Sequence, residues 1–283
     1  MLIDDLKITY QKNQSFSLTY VRNALKETLQ CYLLHLISQS PWSDSLIFKG
    51  GTCLRIFFDL PRLSEDLDFD WSGTSQFDMD DLALSIKDYF TSTFKFDALE
   101  TKVAGNYHTL YIKFPVLDLI GLPLTPSDSK ILFVRLDITP ATGSTYTTEL
   151  AIKSTRDFSF VLKRYSLPDL MAGKIAAILT REKLEGKIKQ PRVKGRDYYD
   201  LIWFLEKGVT PNWSYLTELT GLTKTNAVAA LEDKVAGVSA HYLQTELGPY
   251  FNSPTFVRTF SKNLLNFYNQ YLPILLSKSK TTI

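Results

Sequence analysis

Asp66 and Asp68 stand two residues apart in the run Arg62-Leu63-Ser64-Glu65-Asp66-Leu67-Asp68-Phe69-Asp70. Strict alternation with Leu67, Phe69 and Trp71 is a strand pattern, so the two carboxylates project side by side from one face. Carboxylates that close repel, and each prefers protonation unless a cation sits between them. Oxygen-only ligands of this kind suit Mg²⁺ or Mn²⁺ rather than zinc. Taken alone, the D-x-D reads equally as a solvated acidic face. Asp70 continues the row with nothing in its spacing to mark a ligand, and is expected to face solvent. Asp137 lies on a later run, 130–139, where Leu132, Val134, Leu136 and Ile138 alternate with Phe133, Arg135 and Asp137. If that strand neighbours the D-x-D strand, three carboxylates converge and can hold two metal ions about 4 Å apart. If it does not, Asp137 is an ordinary strand-end aspartate.

Lys49-Gly50-Gly51-Thr52 follows the apolar run 46–49 and precedes a helix expected over about 52–58. Glycines there let the backbone bend sharply and approach a ligand, and the helix N-terminus offers unpaired N–H donors to an anion. The same junction is also what a plain tight turn looks like. Lys174 lies on the helix after Pro168 with Arg181 seven residues on, near the same face; an ammonium suits phosphate oxygens, and a solvated face is the ordinary alternative. From Arg181 to Arg196, seven cations (Arg181, Lys183, Lys187, Lys189, Arg192, Lys194, Arg196) face two anions, a net of +5 in a chain whose total is +2. A segment of that charge, carrying Gly186, Pro191 and Gly195, reads as a solvated loop or as a phosphate-backbone contact. His35, His108 and His241 have no ligand spacing, and neither a G-x-S-x-G elbow, a Cys/His nucleophile pair nor a Walker loop is present.

These groups need a frame to hold them. The chain has 283 residues, 45% hydrophobic and 22% charged, which excludes a disordered polar chain and allows roughly two domains. Apolar runs fall well short of the roughly 20 residues of a membrane span, and Asp4 and Asp5 stand where a signal peptide would be basic. Two cysteines make neither a disulfide framework nor a zinc cluster, so a cytoplasmic protein acting away from membranes is expected. Residues 17–40 read as a helix, with Ser17 as cap and Pro41 as stop. Strands are expected at 46–49, 66–71, 109–114 and 130–139, with a helix near 79–91 capped by Asp78. After about residue 160 strand signals nearly vanish. Ser166 and Asp169 form a capping-box pattern opening a helix through Thr180, a second helix runs from Asp197 to Lys207, and 212–283 continue helical. The expected architecture is α+β: a small mixed-sheet domain with an N-terminal helix over 1–160, then a helical C-terminal domain over 161–283.

The order of these pieces resembles the DNA polymerase beta-like nucleotidyltransferase superfamily, and within it the AbiEii-type nucleotidyltransferase toxins of bacterial toxin–antitoxin (abortive-infection) pairs. The matching stretches are FKGGTCLR (48–55), LPRLSEDLDF (60–69), the lysine of MAGKIAAILTR (171–181) and KGRDYYDLIWFL (194–205). The resemblance implies that Lys49, Gly50, Gly51 and Thr52 form a nucleotide-phosphate loop and that Asp66 and Asp68 bind Mg²⁺ or Mn²⁺. It makes Lys174 a contact to the incoming triphosphate and Asp197 a second catalytic carboxylate, both brought to the cleft by the C-terminal domain. Asp137 fits the superfamily's third carboxylate, a role Asp197 could supply instead; Asp200 reads as structural. Ser64, beside the nucleotide site, sits where some relatives carry a regulatory serine. The implied activity is transfer of a nucleoside monophosphate from an NTP to RNA, with the tRNA 3′ end as acceptor, blocking translation. A cognate antitoxin is the implied partner. Arg181, Lys187, Lys189, Arg192, Lys194 and Arg196 are the candidate RNA contacts. The alternatives are a protein or small-molecule acceptor, or a non-catalytic nucleotide- or RNA-binding module of the same fold.

Overall fold

Alternating apolar and polar residues build a sheet in the first half of the chain, and three- and four-residue periodicity builds helices in the second. A computed structural model describes residues 1–185, 188–191 and 194–276, with the backbone alone over 182–185 and 188–191. The chain divides into two units. The first comprises Met1–Ala141 with Glu149–Arg164, the second Thr142–Thr148 with the chain from Tyr165 onward.

The first unit opens with α1 (Leu2–Asn13) and α2 (Leu18–Ser38). The Ser17 side chain accepts from Tyr20 N–H to cap α2, as expected. Helix α1 was not legible: it buries only Leu2 and Leu6, too sparse a pattern to show a period. Then come β1 (Leu46–Lys49), α3 (Gly50–Phe58), β2 (Asp66–Trp71), α4 (Met79–Phe94), β3 (Glu100–Ala104), β4 (Thr109–Phe114), β5 (Leu132–Pro140), β6 (Thr148–Ser154) and β7 (Ser159–Tyr165). Asp78 caps α4, accepting from the backbone of Asp80 and Asp81 at 3.0 Å. The seven strands form one mixed sheet in the order β3-β4-β5-β2-β1-β7-β6. Strands β2 and β5 run parallel and are neighbours, the condition on which the position of Asp137 depended. Leu67 and Phe69 of β2 and Val134, Leu136 and Ile138 of β5 are buried, so one face of the sheet is core and the carboxylates belong to the other.

The second unit holds α5 (Leu167–Thr180), a two-stranded antiparallel hairpin of β8 (Glu182–Glu185) and β9 (Ile188–Pro191), then α6 (Gly195–Glu206), α7 (Trp213–Thr220), α8 (Lys224–Ala236), α9 (Ala240–Leu247) and α10 (Pro254–Leu276). Strands β8 and β9, with most of β7, lie past residue 160, where strand signals nearly vanish in the sequence, and β6 just before it was not expected either. In β6 Leu150 and Ile152 are exposed, so no buried stripe marks that strand in the sequence. The segment Thr142–Thr148 joins this unit because Asp169, buried at the start of α5, gathers it. Its carboxylate accepts from Thr147 N–H at 3.0 Å, the Thr147 hydroxyl at 2.9 Å, Ser166 at 2.5 Å and Asn212 at 2.7 Å.

Candidate active site

The candidate residues of the first unit lie on rungs of the sheet. Lys49 of β1 is opposite Asp68 of β2, which is opposite Asp137 of β5, which is opposite Thr109 of β4. One rung over, Asp66 faces Arg135; on the other side, Asp70 faces Ile47 and Thr139. Because alternate residues share a face, Asp66, Asp68, Asp70, Arg135, Asp137, Thr139 and Lys49 all belong to the polar face of three adjacent strands.

Asp70 is not solvent-facing as expected but 5% exposed. Its carboxylate accepts from Lys49 Nζ at 2.5 Å and from the Thr139 hydroxyl at 2.8 Å, and Lys49 also reaches Thr139 at 3.1 Å. The lysine reaches one rung along the strand to Asp70, a carboxylate so deeply buried that it needs a cation. Lys49, expected to bind nucleotide, thus ion-pairs with Asp70. Asp137 is likewise engaged. Arg135 grips it with Nη2 at 2.8 Å and Nε at 3.1 Å, and the Thr109 hydroxyl donates to it at 2.6 Å.

The two glycines are required by their surroundings. Gly50 has φ of +79°, and a Cβ on it would fall 2.2 Å from Asp68 Oδ2. A Cβ on Gly51 would fall 2.6 Å from the Arg62 guanidinium and 3.0 Å from Ser64 Oγ. The start of α3 therefore lies directly against the D-x-D strand and the loop before it. Thr52 is fully buried and its hydroxyl donates to the Asp66 carbonyl at 2.5 Å, tying α3 to β2 rather than pointing outward. Ser64 is 5% exposed, and Arg62 is the largest fully buried side chain in the described structure, donating to the Leu63 carbonyl at 2.9 Å.

The donor chemistry of Asp66 and Asp68, carboxylates on alternate positions of one strand beside a glycine turn, fits a hard divalent cation. The expected convergence of a third carboxylate is not seen. Among the described residues no three Asp, Glu, His or Cys side chains are close enough to hold a metal ion, and Asp137 is turned to Arg135 and Thr109.

In the second unit, Lys174 of α5 donates to Asp197 at 3.0 Å and pairs with Asp200 at 2.7 Å, both on α6. Arg181 also pairs with Asp197. Asp197 is 4% and Asp200 0% exposed. Burial alone would raise the Asp197 carboxyl, but Lys174 and Arg181 outweigh it and hold the group down at about 2. Asp200, read as structural, is the more deeply buried partner of Lys174. The pairing follows from spacing: Asp197 and Asp200, three apart on α6, share the face that meets α5.

The family model of AbiEii, the nucleotidyl transferase toxin of a type IV toxin–antitoxin system, matches residues 31–235. The chain belongs to this family. Among solved structures it resembles MenT4, a nucleotidyltransferase toxin from Mycobacterium tuberculosis H37Rv, at 15% identity over 98% of this chain and 95% of that one, with a TM-score of 0.58. It also resembles JHP933 from Helicobacter pylori, at 14% identity over 92% and 95% of the two chains, with a TM-score of 0.51. At such identities the likeness is one of fold. No curated protein matches the sequence significantly.

Membership of the AbiEii family makes this chain a nucleotidyltransferase toxin and implies a cognate antitoxin. No described helix is long and apolar enough to cross a membrane. Of the candidate RNA contacts, Lys187 and Arg192 lie outside the described residues, as does the side chain of Lys189. Arg181 is engaged by Asp197, Arg196 stacks on the Tyr250 ring at 4.6 Å, and Lys194 precedes α6 as its N-cap residue. Two features escaped the sequence reading: the Arg135 grip on Asp137 and the buried Arg62. Arg135 could have been flagged, since it stands two residues before Asp137 on one strand face. Nothing in the sequence marks Arg62 as buried.

Proposed function

We propose that this AbiEii-family toxin is a Mg²⁺- or Mn²⁺-dependent enzyme that transfers a nucleoside monophosphate from an NTP to an RNA hydroxyl. The preferred acceptor is the 3′ end of tRNA, which would block translation in the cytoplasm. The observation that carries the reading is the contact between the Gly50–Gly51 turn and the D-x-D strand, which sets helix N–H donors beside Asp68. Asp66 and Asp68 are the residues that would hold the metal. Bound there, it would neutralise triphosphate charge and make the acceptor hydroxyl more acidic.

This chain's own groups do the rest. The first-turn N–H groups of α3, backed by the buried Arg62, supply fixed positive potential toward phosphate oxygens. The acceptor hydroxyl gives up its proton to solvent and its oxygen forms a bond to the α-phosphorus while the bond to the bridging oxygen breaks, and pyrophosphate leaves in line. Lys174 is assigned to the triphosphate by family resemblance. The low position of Asp197 makes it a poor proton acceptor near neutrality, so its role is to orient Lys174. RNA as acceptor is supported by the +5 stretch from Arg181 to Arg196.

The test is label transfer. Purified protein is incubated with total tRNA, Mg²⁺ and each α-labelled NTP in turn, beside Asp66→Ala. Label entering tRNA and falling by roughly two to four decades in the variant is the expected result. Wild-type turnover in Asp66→Ala would refute the mechanism. Mg²⁺-dependent NTP binding without labelled tRNA would redirect the search to a protein or small-molecule acceptor, and binding without transfer to any acceptor would leave a non-catalytic module.

A further inference from the structure

We propose that Arg135 is an internal counter-cation of the acidic strand face, holding Asp137 out of the metal-ligand set until a divalent ion displaces it. The inference rests on the reading of the D-x-D face as a divalent-metal site and concerns how that site is gated. Arg135 and Asp137 are alternate residues of β5 and share a face, and the register partner of Arg135 is Asp66 itself. Arg135 is thus paired in register with the first D-x-D residue and ion-paired with the third carboxylate. Its grip on Asp137 is two-pronged, Nη2 to Oδ2 at 2.8 Å and Nε to Oδ1 at 3.1 Å, and Thr109 takes Oδ1 as well at 2.6 Å. Both oxygens of Asp137 are thus in use. Partial burial disfavours the charge on Arg135, yet the Asp137 and Asp66 carboxylates outweigh burial and strengthen it.

The physical reason is the one that makes the face acidic. Carboxylates on adjacent strands repel unless a cation stands among them, and a guanidinium fork matches a carboxylate edge to edge. Arg135 sets a single positive charge of the protein's own on this face. The Arg135 side chain is 43% exposed, so it can turn into solvent without opening the core. A divalent ion must break the two-pronged pair to recruit Asp137, and Arg135 sets the metal concentration at which this happens.

The experiment is Mn²⁺ titration of the full-length protein by calorimetry, with no nucleotide and no RNA present. Wild type is compared with Arg135→Gln, Arg135→Lys, Asp137→Asn and the Arg135→Gln/Asp137→Asn double variant, each checked for native circular dichroism. Arg135→Gln is expected to bind Mn²⁺ about tenfold tighter, the scale of no longer having to break one charged, hydrogen-bonded pair before Asp137 can turn to the ion. Arg135→Lys, which keeps the charge and loses the fork, should fall between. The gain should vanish in the double variant. Equal or weaker Mn²⁺ binding in Arg135→Gln, or a gain that survives loss of Asp137, overturns the proposal; so does no binding in either protein. Label transfer by wild type reports separately on the enzymatic reading. Tightening in Arg135→Gln with no transfer to any acceptor would keep the counter-cation and discard the enzyme.

Discussion

Lys174→Met separates two roles for one ammonium. The family resemblance makes Lys174 a triphosphate contact, whereas the structure places it between two buried carboxylates, 3.0 Å from Asp197 and 2.7 Å from Asp200. Methionine keeps much of the stem volume and removes the charge. Breaking a buried pair from one side costs about 3–5 kcal/mol, because the remaining charge is stranded in low dielectric. Asp197 keeps Arg181, so Asp200 bears the greater loss, and the lower end, about 3 kcal/mol, is expected. Urea unfolding followed by circular dichroism should show the midpoint falling by about 1 M or more. Asp200→Asn should lessen the damage, with a coupling in the double-mutant cycle of about 1–3 kcal/mol. A Lys174→Met protein that unfolds at the wild-type urea concentration would refute the structural role and leave Lys174 as a phosphate contact alone. Activity in this variant must therefore be divided by its folded fraction before any loss is assigned to catalysis.

Acid should attack the same cluster. Asp197 is held at about 2 in the folded chain against an ordinary value of 3.8, so the unfolded chain binds the proton first as pH falls. The stability this contributes, about 2 kcal/mol, is fully present above pH 4 and should be lost between about pH 4 and pH 2. Calorimetry across that range checks it, and an Asp197→Asn protein with the same acid slope as wild type would count against it. At the glycine turn, Gly50→Ala forces a side chain to φ of +79° and onto Asp68 Oδ2. A cost of about 1–2 kcal/mol in thermal unfolding is expected, with transfer activity falling at least about tenfold as Asp68 is pushed aside. Unchanged melting and turnover would show that the turn has room the geometry denies.

Where burial on one side of an element sets its period, sequence reading located the element well. Expected strands 46–49, 66–71 and 109–114 coincide with β1, β2 and β4, and the caps Ser17, Asp78 and Ser166 all accept backbone N–H groups. Elements that bury little went unseen: α1 and the edge strands β3 and β6, where the local pattern carries no stripe to read; β7 was missed as well, although Phe160 and Leu162 are buried at alternate positions. The placement of Asp66, Asp68 and Asp137 on one face was legible only conditionally. It depends on β2 and β5 pairing in parallel across more than sixty residues of chain, which no local spacing reveals. Asp70 shows the same limit from the other side. Its spacing is identical to that of Asp68, yet a lysine from the next strand leans over it and buries it, while its neighbour keeps the glycine turn.

The common thread is that residue type identifies a charge but not its customer. Lys49, Lys174 and Arg181 look like phosphate-binding cations in the sequence, and they, with Arg135, are each committed to a carboxylate in the fold. Lys174 and Arg181 serve carboxylates buried so deeply that releasing the cation strands a charge, which ties them to stability first. Lys49 is pinned to Asp70, whose side chain is 6% exposed, and belongs with them. Arg135 differs, since Asp137 is 20% exposed and its own side chain 43%, so water can take over the contacts on both sides. Of the four, Arg135 is the cation the fold can release at least cost. A polyvalent partner arriving at the acidic face should therefore displace Arg135 before any of the others.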